Sequence, residues 1–232
     1  MNYYELVTTV LLKKELSYLS SYETLSNFIN KAMLKDNLLK EIHTNKKPTL
    51  YCFSSLYPVE KSKVYQKGRV YIFRLRSIDK KFISHLMATL KQTESETFNI
   101  INSELKTKSQ RPIEELVLIT PLILTTEEGY KLPETNQLLY VENRIKDILE
   151  KKYKQYYGEN ITADPFLLSV EKTNHKPIKI PYKNINFLGN KFKLTVDSSD
   201  NAQKLATFGL ACGVGEKVSI GASFANANFV RR

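Results

Sequence analysis

Side chains that titrate near neutrality are scarce in this sequence. His43, His85 and His175 are its three histidines, and imidazole is the group best suited to exchange protons at pH 7. His43 stands out by its neighbours: it closes the helical-period segment Leu39-Lys-Glu-Ile-His43, and Thr44-Asn45-Lys46-Lys47 follows. A helix C-terminus favours the imidazolium through its dipole, while adjacent lysines disfavour it. Opposed in this way, the two effects can leave the ring titrating where acid–base catalysis works best. A solvated helix terminus is the plain alternative. His85 flanks an apolar stripe, an edge position. His175 lies in Lys-Thr-Asn-His-Lys-Pro, which suits phosphate contact or simple loop polarity.

Other chemistries find little support. There is no His-Glu-x-x-His, no paired-cysteine motif and no carboxylate cluster of the two-metal type. Cys52 and Cys212 stand 160 residues apart, in no metal or redox spacing. No Gly-x-Ser-x-Gly elbow precedes a helix. RNA offers an easier route, because its own 2′-hydroxyl is a built-in nucleophile. Cleavage then needs an acid or base and cations that stabilise the crowded phosphate.

The second informative segment is Gly209-Leu-Ala-Cys-Gly213-Val-Gly215-Glu-Lys217-Val-Ser219-Ile-Gly221-Ala-Ser223-Phe224, which holds four of the chain's eight glycines. It is neither a P-loop nor a dinucleotide fingerprint, since Glu follows Gly215 and Val218 occupies the place of a third glycine. Glycines permit close backbone approach, and exposed amides form an anion-binding concavity; Lys217 and Ser219 would add a charge and a hydroxyl. A helix cap followed by a bulged edge strand accounts for the segment equally well.

Charge points the same way. Thirty-five Lys and Arg against 24 Asp and Glu give 232 residues a formal charge of +11. The excess concentrates in Glu60 to Lys81, with eight basic residues, and in Lys172 to Val196, with six lysines and no carboxylate. Tyr65, Tyr71, Phe73, Tyr182, Phe187 and Phe192 are interleaved with these cations. Such a surface suits phosphates plus unstacked bases, although lysines on the outer faces of strands with aromatic cores read alike. With 42% apolar and 25% charged residues, the composition excludes disorder, collagen and a disulfide scaffold. No apolar run reaches the ~18 residues of a membrane span, and no secretion signal is expected. A reduced, cytoplasmic protein with an anionic partner is expected.

These residues need elements to position them. Tyr3 to Leu12 reads as a strand. Ser20 and Glu23 have capping-box spacing ahead of the stripe Leu25, Phe28, Ile29, Ala32 and Met33, and the helix restarts over Leu38 to His43. Strands are expected over residues 50–58 and 69–76, then a helix capped by Asp79 with the stripe Phe82, Ile83, Leu86 and Leu90, then a strand over 98–106. Residues 107–114 read as a linker. After it come a strand (115–125), a helix (137–157) stopped by Gly158, strands over 166–170 and 178–188, a type II′ turn at Gly189-Asn190, a return strand, a helix (200–210) and a last strand (220–230). Two β-α-β-β-α-β series predict an α+β protein of two tandem ferredoxin-like, RRM-like domains, residues 1–110 with His43 and 111–232 with the glycine-rich loop.

Together, the two halves, the segment Leu39-Lys-Glu-Ile-His43-Thr-Asn-Lys46-Lys47-Pro-Thr-Leu-Tyr-Cys-Phe-Ser54 and the loop Gly-Val-Gly-Glu-Lys-Val-Ser-Ile-Gly resemble the CRISPR-associated repeat-RNA endoribonucleases of the RAMP superfamily, over essentially the whole chain. The resemblance implies an enzyme that cuts precursor CRISPR RNA within repeats by 2′-oxygen attack. It needs no metal or other cofactor, leaves 5′-hydroxyl and 2′,3′-cyclic phosphate ends, and makes guide RNAs for antiviral defence. His43 occupies the position of the acid–base histidine. Asn30 stands where family members carry a tyrosine and Thr49 where they carry a lysine, so Lys47, beside Lys46, is expected to supply the cation. Ser223 replaces the second glycine of the closing Gly-x-Gly. Lys46, Arg69, Lys191, Lys193, Gly213, Gly215, Lys217 and Ser219 are expected to bind RNA. Repeat RNA is the implied partner, with other CRISPR effector-complex subunits and a second copy of the chain as further candidates and no membrane. The alternatives are a non-catalytic tandem RNA-recognition subunit and a metal-dependent nuclease.

Overall fold

The computed structural model describes residues 1–44, 47–125 and 138–231. In the first half β1 (Asn2–Leu12) leads through a short β2 (Leu16–Ser17) into α1 (Tyr18–Met33) and α2 (Asn37–Thr44). Then come β3 (Tyr51–Phe53), β4 (Val64–Tyr65), β5 (Val70–Ser77), α3 (Lys80–Lys91) and β6 (Phe98–Ser109). The sheet order is β3-β5-β1-β6, all antiparallel. The second half runs β7 (Ile113–Leu118), α4 (Leu138–Tyr157), β8 (Leu167–Lys172), a hairpin of β9 (Ile178–Tyr182) and β10 (Ile185–Gly189), β11 (Phe192–Val196), α5 (Asp200–Cys212) and β12 (Ala225–Phe229), with sheet order β12-β7-β11-β8. Both orders are those of the ferredoxin-like β-α-β-β-α-β unit, so the expected fold class holds.

Most elements form for the local reasons visible in the chain, and the differences have identifiable causes. Asp79 caps α3 through the N–H groups of Lys81 and Phe82 at 2.8 and 3.1 Å, and the predicted stripes of α1 and α3 are buried. The cap of α1 is Ser17 rather than Ser20: the Ser17 hydroxyl accepts from Ser20 N–H at 3.0 Å, which starts the helix a turn early. Glu23 is thereby released to accept from Lys183 N–H of the hairpin at 3.1 Å. The predicted turn at Gly189-Asn190 is not one. The hairpin reverses at Lys183-Asn184, with Lys183 at φ +51°; Asn190 instead pairs with Leu122, and a Cβ at Gly189 would run into the Leu122 carbonyl. Residues 107–109 still belong to β6, leaving Gln110 to Pro112 as the connection. The last strand starts at Ala225 because Val218–Ile220 forms a 3₁₀ turn, closed by Gly221 at φ +86°.

The two sheets are joined through their interiors. Tyr3 and Ile78 of the first half belong to the core built on α4, α5 and the second sheet. Arg76 of β5, 5% exposed, donates to Glu5 at 2.7 Å, to the Ala225 carbonyl at 2.6 Å and to Asn226 Oδ1 at 3.1 Å. Its guanidinium lies 4.4 Å from the Phe224 ring centroid.

Candidate active site

Helix α2 is short and buries Leu39 alone, so its ends must hold it. At its start Asp36 Oδ1 accepts from Leu39 N–H at 3.0 Å, while Oδ2 meets His85 Nδ1 at 2.9 Å. These bonds hold Asp36 below the usual carboxylate range, the His85 contact contributing most. At the other end Thr44 hydroxyl donates back to the Lys40 and Glu41 carbonyls, and His43 in the last turn is exposed.

Past α2, Pro48 lies against the second half, where Gln155 of α4 donates to its carbonyl at 3.1 Å. A cavity of about 360 Å³ forms at this junction. Its polar lining includes His43, Lys47, Asn30, Thr49, Tyr182 and Ser219. An imidazole, an ammonium, a phenol and two hydroxyls thus share one concave space, a set able to move a proton and to stabilise an anion. His43, Lys47 and Ser219 were expected from the sequence. The phenol was not: the pocket has Asn30 on α1, and the tyrosine arrives from β9, some 150 residues away in the chain. Local pattern carried no signal for Tyr182 beyond its place among lysines.

The glycine-rich segment contributes in a different way from that expected. Gly213 and Gly215 are buried. A Cβ at Gly213 (φ +76°) would lie 2.5 Å from Val218 Cγ1, and one at Gly215 would lie 2.5 Å from Leu122 Cδ1. The demand for glycine at both positions therefore comes from the protein's own packing. Nor do the neighbouring amides face outward: Val214 N–H donates to Ser223 O and Glu216 N–H to Ile123 O, both at 3.1 Å. The carbonyls of Cys212, Gly213 and Gly215 converge instead on the buried ammonium of Lys152, at 3.1, 3.2 and 3.1 Å. Burial pushes that lysine below its usual value. What the loop offers to solvent is the half-buried Glu216, Lys217 and Ser219. Lys217 stands 5.4 Å over the Phe187 ring, and the Ser219 carbonyl accepts from Ser26 hydroxyl of α1 at 2.9 Å.

Comparison with known proteins bears on this arrangement. The family model described as "CRISPR associated protein Cas6, C-terminal" matches residues 102–227. The chain belongs to the Cas6 family. "CRISPR-associated endoribonuclease Cas6 2" of Methanocaldococcus jannaschii is 27% identical over 221 residues, covering 88% of this chain and 90% of that one. Among solved structures, "CRISPR associated protein Cas6" superposes with a TM-score of 0.73 at 20% identity, covering 97% of this chain and 99% of the other. "An RAMP protein binding different RNA substrates" superposes with 0.75 at 13% identity, with the same coverage. The resemblance read from residues 39–54 and 209–224 is thus borne out, and the two-unit fold is shared along the chain.

In this Cas6 chain the remaining predicted RNA contacts are dispersed. Lys46 lies outside the described residues. Arg69 is exposed and paired with Glu60 at 3.1 Å. It precedes β5, whereas Ser77 at the far end of that strand lines the cavity, a separation of roughly 25 Å at ~3.3 Å per residue. Lys193 points from the open face of the second sheet and is held by Glu115 at 2.6 Å, which raises its pKa. Lys191 lies between β10 and β11; partial burial, then repulsion from Lys63, lower its pKa. Neither lysine borders the His43 cavity. His175 is exposed beside the hairpin. Among the described residues no group of three His, Cys, Asp or Glu could hold a metal ion, and no helix is long and apolar enough to cross a membrane.

Proposed function

We propose that this Cas6 chain is a metal-independent endoribonuclease that cuts CRISPR repeat RNA, with domains 1–110 and 111–232 enclosing the substrate between them. The observation that carries the reading is that His43 and Lys47 share a cavity with Ser219 of the glycine-rich loop. In the reaction the 2′-oxygen 5′ of the cut bonds to phosphorus and the bond to the 5′-oxygen breaks. One proton leaves the 2′-hydroxyl and one reaches the departing 5′-oxygen, giving a 2′,3′-cyclic phosphate and a 5′-hydroxyl. His43 serves one of these transfers, as acid or base. Lys47, with Lys46 beside it, stabilises the charge that builds on the non-bridging oxygens. Lys217 and Ser219 hold the RNA at the cavity mouth, Gly213 and Gly215 shape the loop, and Arg69, Lys191 and Lys193 act on more distant stretches of the strand.

The departures at Asn30 and Thr49 favour a second reading, a non-catalytic RNA-recognition subunit. One assay separates the two. Repeat RNA is incubated with the protein in EDTA, with ribose or deoxyribose on the 5′ side of the cut. Cleavage of the ribose substrate alone supports the enzyme. Retarded but intact RNA supports the binding subunit, and cutting abolished by EDTA overturns metal independence.

A further inference from the structure

A second cavity, of about 420 Å³, opens beside the first, and Pro48, Thr49 and Ser219 form a wall common to both. Its opposite side is α4, which presents Arg144, Lys151 and Lys152. Glu216 is the one carboxylate that lines it among the described residues. That carboxylate is already engaged, by Arg144 at 2.6 Å, by Thr125 N–H at 3.0 Å and by the Thr125 hydroxyl. Lys152 is 4% exposed, and its partners are three neutral carbonyls. They satisfy its donors, and burial disfavours its charged form. Lys151, one residue earlier on α4, is exposed at the rim. Arg144, Lys151 and Lys217 exceed the single carboxylate by two charges. A base or a sugar does not call for such an excess; a phosphodiester does.

We propose that this second cavity is a phosphodiester subsite. It takes a backbone phosphate of the RNA one or two nucleotides from the cut, with Lys151 as the contacting cation and Arg144 as fixed charge behind it. The inference rests on the reading of the His43 cavity as the cleavage site. The shared wall at Ser219 means that the strand crosses the glycine-rich loop between the two pockets.

The test uses the full chain and repeat RNA made uncleavable by a 2′-deoxyribose at the cut, with one uncharged methylphosphonate moved across the flanking linkages. Wild-type protein is expected to lose affinity on the order of tenfold at one linkage within two nucleotides of the cut, the worth of a charged hydrogen bond. Lys151→Gln, at an exposed position, should weaken the unmodified RNA to a similar degree and become insensitive at that linkage alone. Its salt dependence should be shallower by about 0.7 in log–log slope. Equal weakening at every linkage, or full retention of the methylphosphonate effect in Lys151→Gln, would overturn the subsite. Cleavage of all-ribose RNA is scored separately. Cleavage without linkage coupling removes the subsite and spares the cleavage reading; coupling without cleavage does the reverse.

Discussion

An imidazole in the last turn of α2 and an ammonium three residues past its end face one cavity, and the cost of removing the first is predictable. His43→Ala should slow single-turnover cleavage by roughly 10²–10⁴-fold, the usual worth of a general acid or base. Affinity for uncleavable RNA should stay within about twofold. Undiminished cleavage by this variant would end the assignment. Elsewhere a charge works inside the protein. Glu5 is buried, which raises its pKa, but Arg76 with help from Lys108 and Arg74 more than reverses this and holds the carboxyl below its ordinary value. A depressed folded pKa gives stability that is fully present above the unfolded value, near 4.3, and is lost as pH falls through the folded one. Glu5→Gln should therefore cost about 3 kcal/mol at pH 7 and progressively less as the pH is lowered below about 4.3, as measured by urea unfolding at each pH. Arg76 also marks a limit of sequence reading. It sits in the basic cluster that suggested nucleic acid, alternating with Phe73 and Leu75, yet β12 covers it. Charge density along a strand does not reveal what packs on its polar face.

Among the elements, those with local causes were legible and those with remote causes were not. Helix α3 carries its own cap and stripe, and it formed as read. The loop after α5 is shaped by residues far off in the chain, namely Cys52, Leu122, Tyr22, Phe53 and the ammonium of Lys152. Its glycines signalled close approach without saying to what. The hairpin turn fell at Lys183-Asn184, which carries no glycine, while Gly189 served a backbone crossing. Two substitutions separate conformation from crowding. Gly68 and Gly221 both have positive φ, +76° and +86°, but a Cβ meets nothing within 4 Å at Gly68 and lies 2.8 Å from Phe53 Cε2 at Gly221. Gly68→Ala should cost about 1 kcal/mol, and Gly221→Ala about 2–4 kcal/mol, seen as a clearly larger fall in Tm. For α2 the cap is the lever. Asp36→Ala should cost about 1 kcal/mol and lower cleavage severalfold through a less constrained His43, with RNA affinity nearly unchanged. A loss confined to affinity would contradict that link.

At the scale of the whole molecule, the two sheets behave as one body because Tyr3, Ile78 and Arg76 are built into the opposite half. Recognising two β-α-β-β-α-β series from pattern was feasible, since each strand and helix has its own periodicity. How the halves meet, and hence the pocket that joins His43 to Tyr182 and Ser219, depended on contacts across the chain that no window of sequence contains. Cys52 in β3 and Cys212 at the end of α5 line that meeting surface, both completely covered. Cys52 Sγ lies 3.5 Å from the Ala211 carbonyl and Cys212 Sγ 3.4 Å from that of Leu50. Burial pushes the Cys52 thiol up to about 12 and raises Cys212 as well, so neither is a thiolate at neutral pH and neither can react with a maleimide until the seam parts. Alkylation thus becomes a clock for breathing between the halves. Both sulfurs should be tagged at one slow, common rate, and a bound RNA strand spanning the junction should slow it further.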